Sequence, residues 1–115
     1  MKRAISLVAT VATLASATAA QAAEHTILIL PDAYFPAVTY IDSGDTVRFH
    51  NISGNDHNII AKNGAWEIGP ISHGGEYFMV MEQGIQNTFF DKDATDGDGA
   101  YLTQGNVSFS DAPLD

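Results

Sequence analysis

Beyond its first two dozen residues, the chain is built from short apolar stretches, each closed by glycine, proline, asparagine or aspartate. Residues 26–30 form a β-branched apolar run that ends at Pro31-Asp32. Residues 38–41 form a shorter run, followed by the turn signal Asp42-Ser43-Gly44-Asp45. Residues 46–51 alternate, with Val47 and Phe49 on one side and Arg48 and His50 on the other. This two-residue period belongs to a half-buried strand and places His50 on the polar face. Residues 57–61, 76–81, 87–91 and 106–110 read as further strands, and 53–56 and 73–75 as loop and turn. Residues 62–72 read as irregular, because Gly64, Gly69 and Pro70 interrupt any helix.

No stretch after the leader has the 3.6-residue period of an amphipathic helix. Short strands with glycine-rich turns predict an all-β, antiparallel Greek-key sandwich. The expected core is Phe35, Val47, Phe49, Ile59, Phe78, Val80 and Val107. It is completed by Phe89 or, in the other register of that strand, by Thr88 and Phe90. Met79 and Met81 read as gap-fillers and Trp66 as packing over a sandwich edge.

The beginning of the chain reads as an address. Lys2 and Arg3 precede the apolar residues 4–15, and Ala20 and Ala22 occupy the −3 and −1 positions of a cleavage site. The expectation is a signal peptide over residues 1–22 and one domain over residues 23–115, exported to the periplasm or secreted. The apolar stretch is too short for a membrane span. There is no cysteine, so neither a disulfide nor a lipid-anchoring cysteine is expected.

Charge sharpens the picture. Without Lys2 and Arg3, three basic side chains face 14 acidic ones, a net charge of −11 with histidine neutral. Such a surface repels nucleic acid and anionic lipid and attracts cations or a basic partner protein. No nucleophile elbow, phosphate-binding glycine loop or convergent acid–base set is present, so an enzyme is not expected. Two sequons, beginning at Asn51 and Asn106, fall within expected strands and matter only in a glycosylating host.

Phe35-Pro36, Ile41, Gly44-Asp45-Thr46-Val47-Arg48-Phe49-His50-Asn51 and His57-Asn58 together resemble the first half of cupredoxins, especially plastocyanin- and amicyanin-like members. Gly64-Ala65-Trp66, Gly69-Pro70, His73-Gly74-Gly75-Glu76-Tyr77, Thr88-Phe89-Phe90 and Gly105-Asn106-Val107-Ser108-Phe109 extend the resemblance along residues 26–110. It implies a cupredoxin-like sandwich. The family holds copper on a histidine from the first half and on a cysteine, a histidine and a methionine from a late loop. His57 matches the first of these. The cysteine position falls at or beside Asp91, and Leu102 or Thr103 stands about where the methionine would be. Without a thiolate a blue-copper centre cannot form.

Three other chemistries follow. The resemblance brings the 73–75 turn and the end of strand 87–91 to the pole where His57 sits. His57, His73 and Asp91 would then form a candidate site for non-blue copper(II) or zinc(II). The acidic loop 91–99, with carboxylates at Asp91, Asp93 and Asp98, suggests calcium more weakly, since the sixth and twelfth positions are Asp96 and Leu102. Cleavage after Ala22 would expose Ala23-Glu24-His25, an amine and a third-position imidazole able to chelate copper(II). The functional expectation is a cupredoxin-like binding module with a degenerate copper site. The alternatives are an electron carrier completed by a partner and a metal-free interaction domain.

Overall fold

The computed structural model describes residues 22–114, so most of the expected signal peptide lies outside the described residues. Nine strands follow in order: β1 (Glu24–Ile29), β2 (Tyr34–Phe35), β3 (Val38–Tyr40), β4 (Asp45–Asn51), β5 (His57–Ala61), β6 (Glu67–Ile71), β7 (Glu76–Met81), β8 (Thr88–Asp91) and β9 (Gln104–Ser108). They form two sheets, one ordered β2-β1-β4-β7 and the other β3-β9-β8-β5-β6. The sandwich agrees with the alternation of the chain. Its sheets are mixed rather than wholly antiparallel, because β1 runs parallel to β4 and β3 parallel to β9.

Period-two burial builds the core. Ile27 and Ile29 of β1, Val47 and Phe49 of β4 and Met81 of β7 meet Ile59, Ile68, Ile71, Phe89 and Val107 of the other sheet. Phe49 and Phe89 touch edge to face at 5.4 Å, and Tyr34 meets Phe89 at 4.9 Å. Trp66 packs against this core and donates its indole N–H to the Gln86 carbonyl at 2.8 Å. Gly105 is required here, since a Cβ would lie 2.3 Å from the Phe89 ring.

Three expected core residues are instead exposed: Phe35, Phe78 and Val80. In β7 both alternating sets are apolar, so the strand's own sequence does not choose a face. Pairing with β4 decides it: Met79 stands beside inward Val47, whereas Phe78 and Val80 stand beside Arg48 and Thr46. In β2, Tyr34 pairs with buried Ile29 and turns inward, which leaves Phe35 outside. Segment 62–72 also holds more order than expected. A short 3-10 turn, Lys62–Gly64, leads into β6, an edge strand that accommodates Pro70.

β5 and β6 pair with a register shift between His57 and Ile59. Gly69 lies opposite, at φ 119°, and a Cβ there would strike Asn58 at 2.8 Å. This irregularity sets the direction in which β5 presents His57 and Asn58, as bulges beside sites often do.

Candidate functional site

His57 opens β5 and Asp91 closes β8, and these strands are antiparallel neighbours. The ladder therefore brings the first residue of one beside the last of the other at a single pole. His57 Nδ1 donates to Asp91 Oδ2 at 2.6 Å, with both residues buried. The second Asp91 oxygen, Oδ1, accepts the Asp93 backbone N–H at 2.9 Å. Asp93 folds back over the pole, and its Oδ2 accepts the backbone and side-chain N–H groups of Asn58 at 2.8 and 3.0 Å. One ligand atom from each of His57, Asp91 and Asp93 lies within 4.8 Å of the other two.

Among the described residues three buried side-chain polar atoms have no hydrogen-bond partner: the other ring nitrogen of His57, Nε2, and the hydroxyls of Tyr34 and Thr39. Burying such groups without a hydrogen bond is costly. Burial above all, and then the charges of Asp91 and Asp93, push the Tyr34 phenol far up from its ordinary value. The Tyr34 phenol therefore feels the acidic pole from within the core.

The remaining sequence-selected residues are distributed differently. His73 is exposed in its turn, and its Nδ1 accepts the Gly54 N–H at 3.0 Å. It does not belong to the close group of His57, Asp91 and Asp93. Asp96 Oδ1 accepts the N–H groups of Asp98 and Ala100 at 2.8 and 2.9 Å and so shapes its loop. Neither Asp96 nor Asp98 joins the close group. Thr103 is buried, while Leu102 projects outward at 66% exposure. His50 lies half-buried on the polar face of β4, where its Nδ1 accepts from Arg48 at 3.4 Å. The Arg48–Glu76 ion pair across β4 and β7 holds Glu76 below and Arg48 above their ordinary ranges.

Asp93 is the member of the group that strand alternation alone did not select for this pole. The signal available for it was the spacing Asp91-Lys92-Asp93, which puts a second carboxylate one turn beyond the strand end.

The donor set decides which ion the pole suits. Blue copper requires a thiolate, and at the strand end a carboxylate stands against the histidine instead. No methionine or histidine occurs between residues 91 and 105. The residues do not fit a blue-copper centre. One imidazole and two carboxylates suit a divalent ion that accepts nitrogen and oxygen donors.

No protein-family model and no curated protein sequence matches the chain. Solved structures do. Amicyanin from Paracoccus versutus (Thiobacillus versutus) superposes with a TM-score of 0.58 at 18% identity, over 76% of this chain and 80% of its own. A purple cupredoxin from Nitrosopumilus maritimus gives 0.54 at 21% identity, over 73% and 99%. A copper-containing nitrite reductase from Thermus scotoductus SA-01 gives 0.57 at 16% identity, over 79% of this chain but only 23% of the reductase. At such identities the likeness is one of architecture: this chain has a cupredoxin-like fold, and it carries a His/Asp group that could hold a metal ion.

Proposed function

We propose that this chain is an exported, non-enzymatic binding module that takes a divalent ion, zinc(II) or non-blue copper(II), at the pole of its sandwich. His57 Nδ1, Asp91 and Asp93 are the ligands. The observation that carries this reading is the convergence of these three donors within 4.8 Å. The unpartnered Nε2 of His57 adds to it, since a ring that shifts to meet an ion can also seek a partner for its second nitrogen. One structural neighbour, the nitrite reductase, is copper-containing by name, which supports a metal ion as the ligand. The strong negative charge of the chain favours cations, and it favours a basic protein wherever a partner is engaged.

When bound, the ion would supply Lewis acidity or a structural crosslink between β5 and the loop after β8. Nδ1 of His57 and Oδ2 of Asp91, now bonded to each other, would both turn to it. His73, whose Nδ1 holds the Gly54 N–H, lies outside the close group and is not among the proposed ligands.

A second reading rests on the same hydrogen bond. At 2.6 Å the His57–Asp91 pair already ties the two strands together, as a metal-free interaction domain would need. Titration with zinc(II) and copper(II), followed by calorimetry and visible absorption, separates the two. The metal-site reading predicts one ion per chain, no intense thiolate band, and at least tenfold weaker binding in both Asp93→Asn and His57→Ala. Equal affinity in wild type and both variants assigns any binding elsewhere and leaves the interaction domain. An intense visible band with copper would instead revive the electron-carrier reading.

A further inference from the structure

A second histidine–carboxylate pair lies where β1 and β4 begin. Asp45 is only 5% exposed, yet it accepts three hydrogen bonds. The Ala23 backbone N–H reaches Oδ1 at 3.0 Å, while His25 Nε2 and the Asp42 N–H reach Oδ2 at 2.9 and 3.0 Å. The Ala23 carbonyl in turn accepts the Thr46 N–H at 3.0 Å, which fixes Ala23 against the start of β4. These groups border an open cleft of about 220 Å³ that is also lined by Tyr40, Asp42 and Asp111. Three carboxylates therefore surround one imidazole and the nitrogen of Ala23.

That nitrogen is an ordinary amide only while Ala22 precedes it. Ala20 and Ala22 occupy the −3 and −1 positions of the expected leader-cleavage site. Hydrolysis of the Ala22–Ala23 bond consumes one water, leaves a carboxylate on the leader and leaves an amine on Ala23. A free α-amine is largely protonated at neutral pH. The acidic cleft then faces a full positive charge in the position where an amide dipole stood.

We propose that Asp45 is the receptor for the processed N-terminus: leader removal after Ala22 creates an α-ammonium group on Ala23 that pairs with the Asp45 carboxylate and closes the β1 end of the sandwich. The inference is independent of the metal site at the other pole. It also bears on the copper-chelating form of Ala23-Glu24-His25. Glu24 and His25 are paired with Thr46 and Val47 in the sheet, and the His25 ring is committed to Asp45. Chelation through the first backbone nitrogens would have to undo that pairing.

The test uses the protein exported with its own leader. Intact mass places the first residue, which this inference requires to be Ala23. At pH 7 the mature protein should melt about 4–8 °C above its Nα-acetylated form, a shift typical for the loss of one interaction in a domain of this size. In Asp45→Asn that difference should vanish. A readout that needs no variant is acylation of the α-amine by an amine-reactive ester at pH 7, which should run at least tenfold slower in the folded protein than in urea. A different first residue, equal melting of amine and acetylated chains, a difference that survives in Asp45→Asn, or equal acylation rates would each overturn the proposal.

Discussion

The two ends of the sandwich each hold a histidine bonded to a buried aspartate, and the two pairs behave as opposites. β4 spans the distance between them, about 20 Å for a strand of its length. At the β1 end, Asp45 accepts three hydrogen bonds, and its histidine remains partly exposed to solvent. At the β5 end, His57 is deeper, its second nitrogen has no protein partner, and a second carboxylate lies close by. Identical residue types thus serve closure at one pole and leave unsatisfied bonding capacity at the other. What separates a structural pair from a candidate binding pair is whether the bonding groups around it are already spent.

The comparison can be broken most forcefully at Asp91. In Asp91→Ala the buried His57 ring loses its only protein partner. The expected cost is about 3 kcal/mol, read as a lower urea midpoint, because a buried polar group is left unpaired. A variant as stable as wild type would remove the idea that this bond ties β5 to β8. Next in size is stabilisation by metal. Zinc(II) at about 100 times its dissociation constant should raise wild-type stability by about 2.7 kcal/mol and leave His57→Ala unchanged. A comparable rise in both proteins would move the site away from this pole.

Acid sharpens the other end. The Asp42 amide first, and then the His25 ring and the Ala23 amide, hold Asp45 below the ordinary carboxylate range despite its burial. A lowered folded-state value means that the contribution is present in full above the unfolded value, near 3.9, and is lost as pH falls through the folded one. As pH falls below about 4, wild type should therefore lose thermal stability more steeply than Asp45→Asn. Parallel curves would show that Asp45 contributes no such linkage. The smallest effect is expected from His73→Ala. The residue is exposed and bonded only to a loop amide, so melting should shift by no more than about 0.5 kcal/mol equivalent. A large loss of zinc affinity in this variant would instead place His73 among the ligands.

Particular residues show how far the chain could be read in advance. Alternation in β4 identified Val47 and Phe49 as core, because its outward partners are polar. The same reasoning failed in β7, where Tyr77, Met79 and Met81 compete with Phe78 and Val80 and both sets are apolar. Only the register against β4 chose between them. β6 escaped notice because its glycine and proline resemble a loop in sequence, whereas an edge strand bonded on one side tolerates both. At the candidate site, His57 and Asp91 were legible and their contact followed from strand order. The place of Asp93 was not, because it depends on a loop turning back onto the Asn58 amides.

Composition and periodicity by themselves determined that this chain would form an all-β sandwich and that no thiolate would stand at its pole, since both depend on which residues are present and at what spacing. Which apolar set of β7 faces inward, which carboxylate joins His57 and which remains in the loop, and how Ala23 comes to rest on Asp45 were decided by the tertiary structure. Those outcomes depend on long-range pairing, in which residues more than 20 positions apart compete for the same buried hydrogen-bonding groups, and local sequence carries no record of who wins.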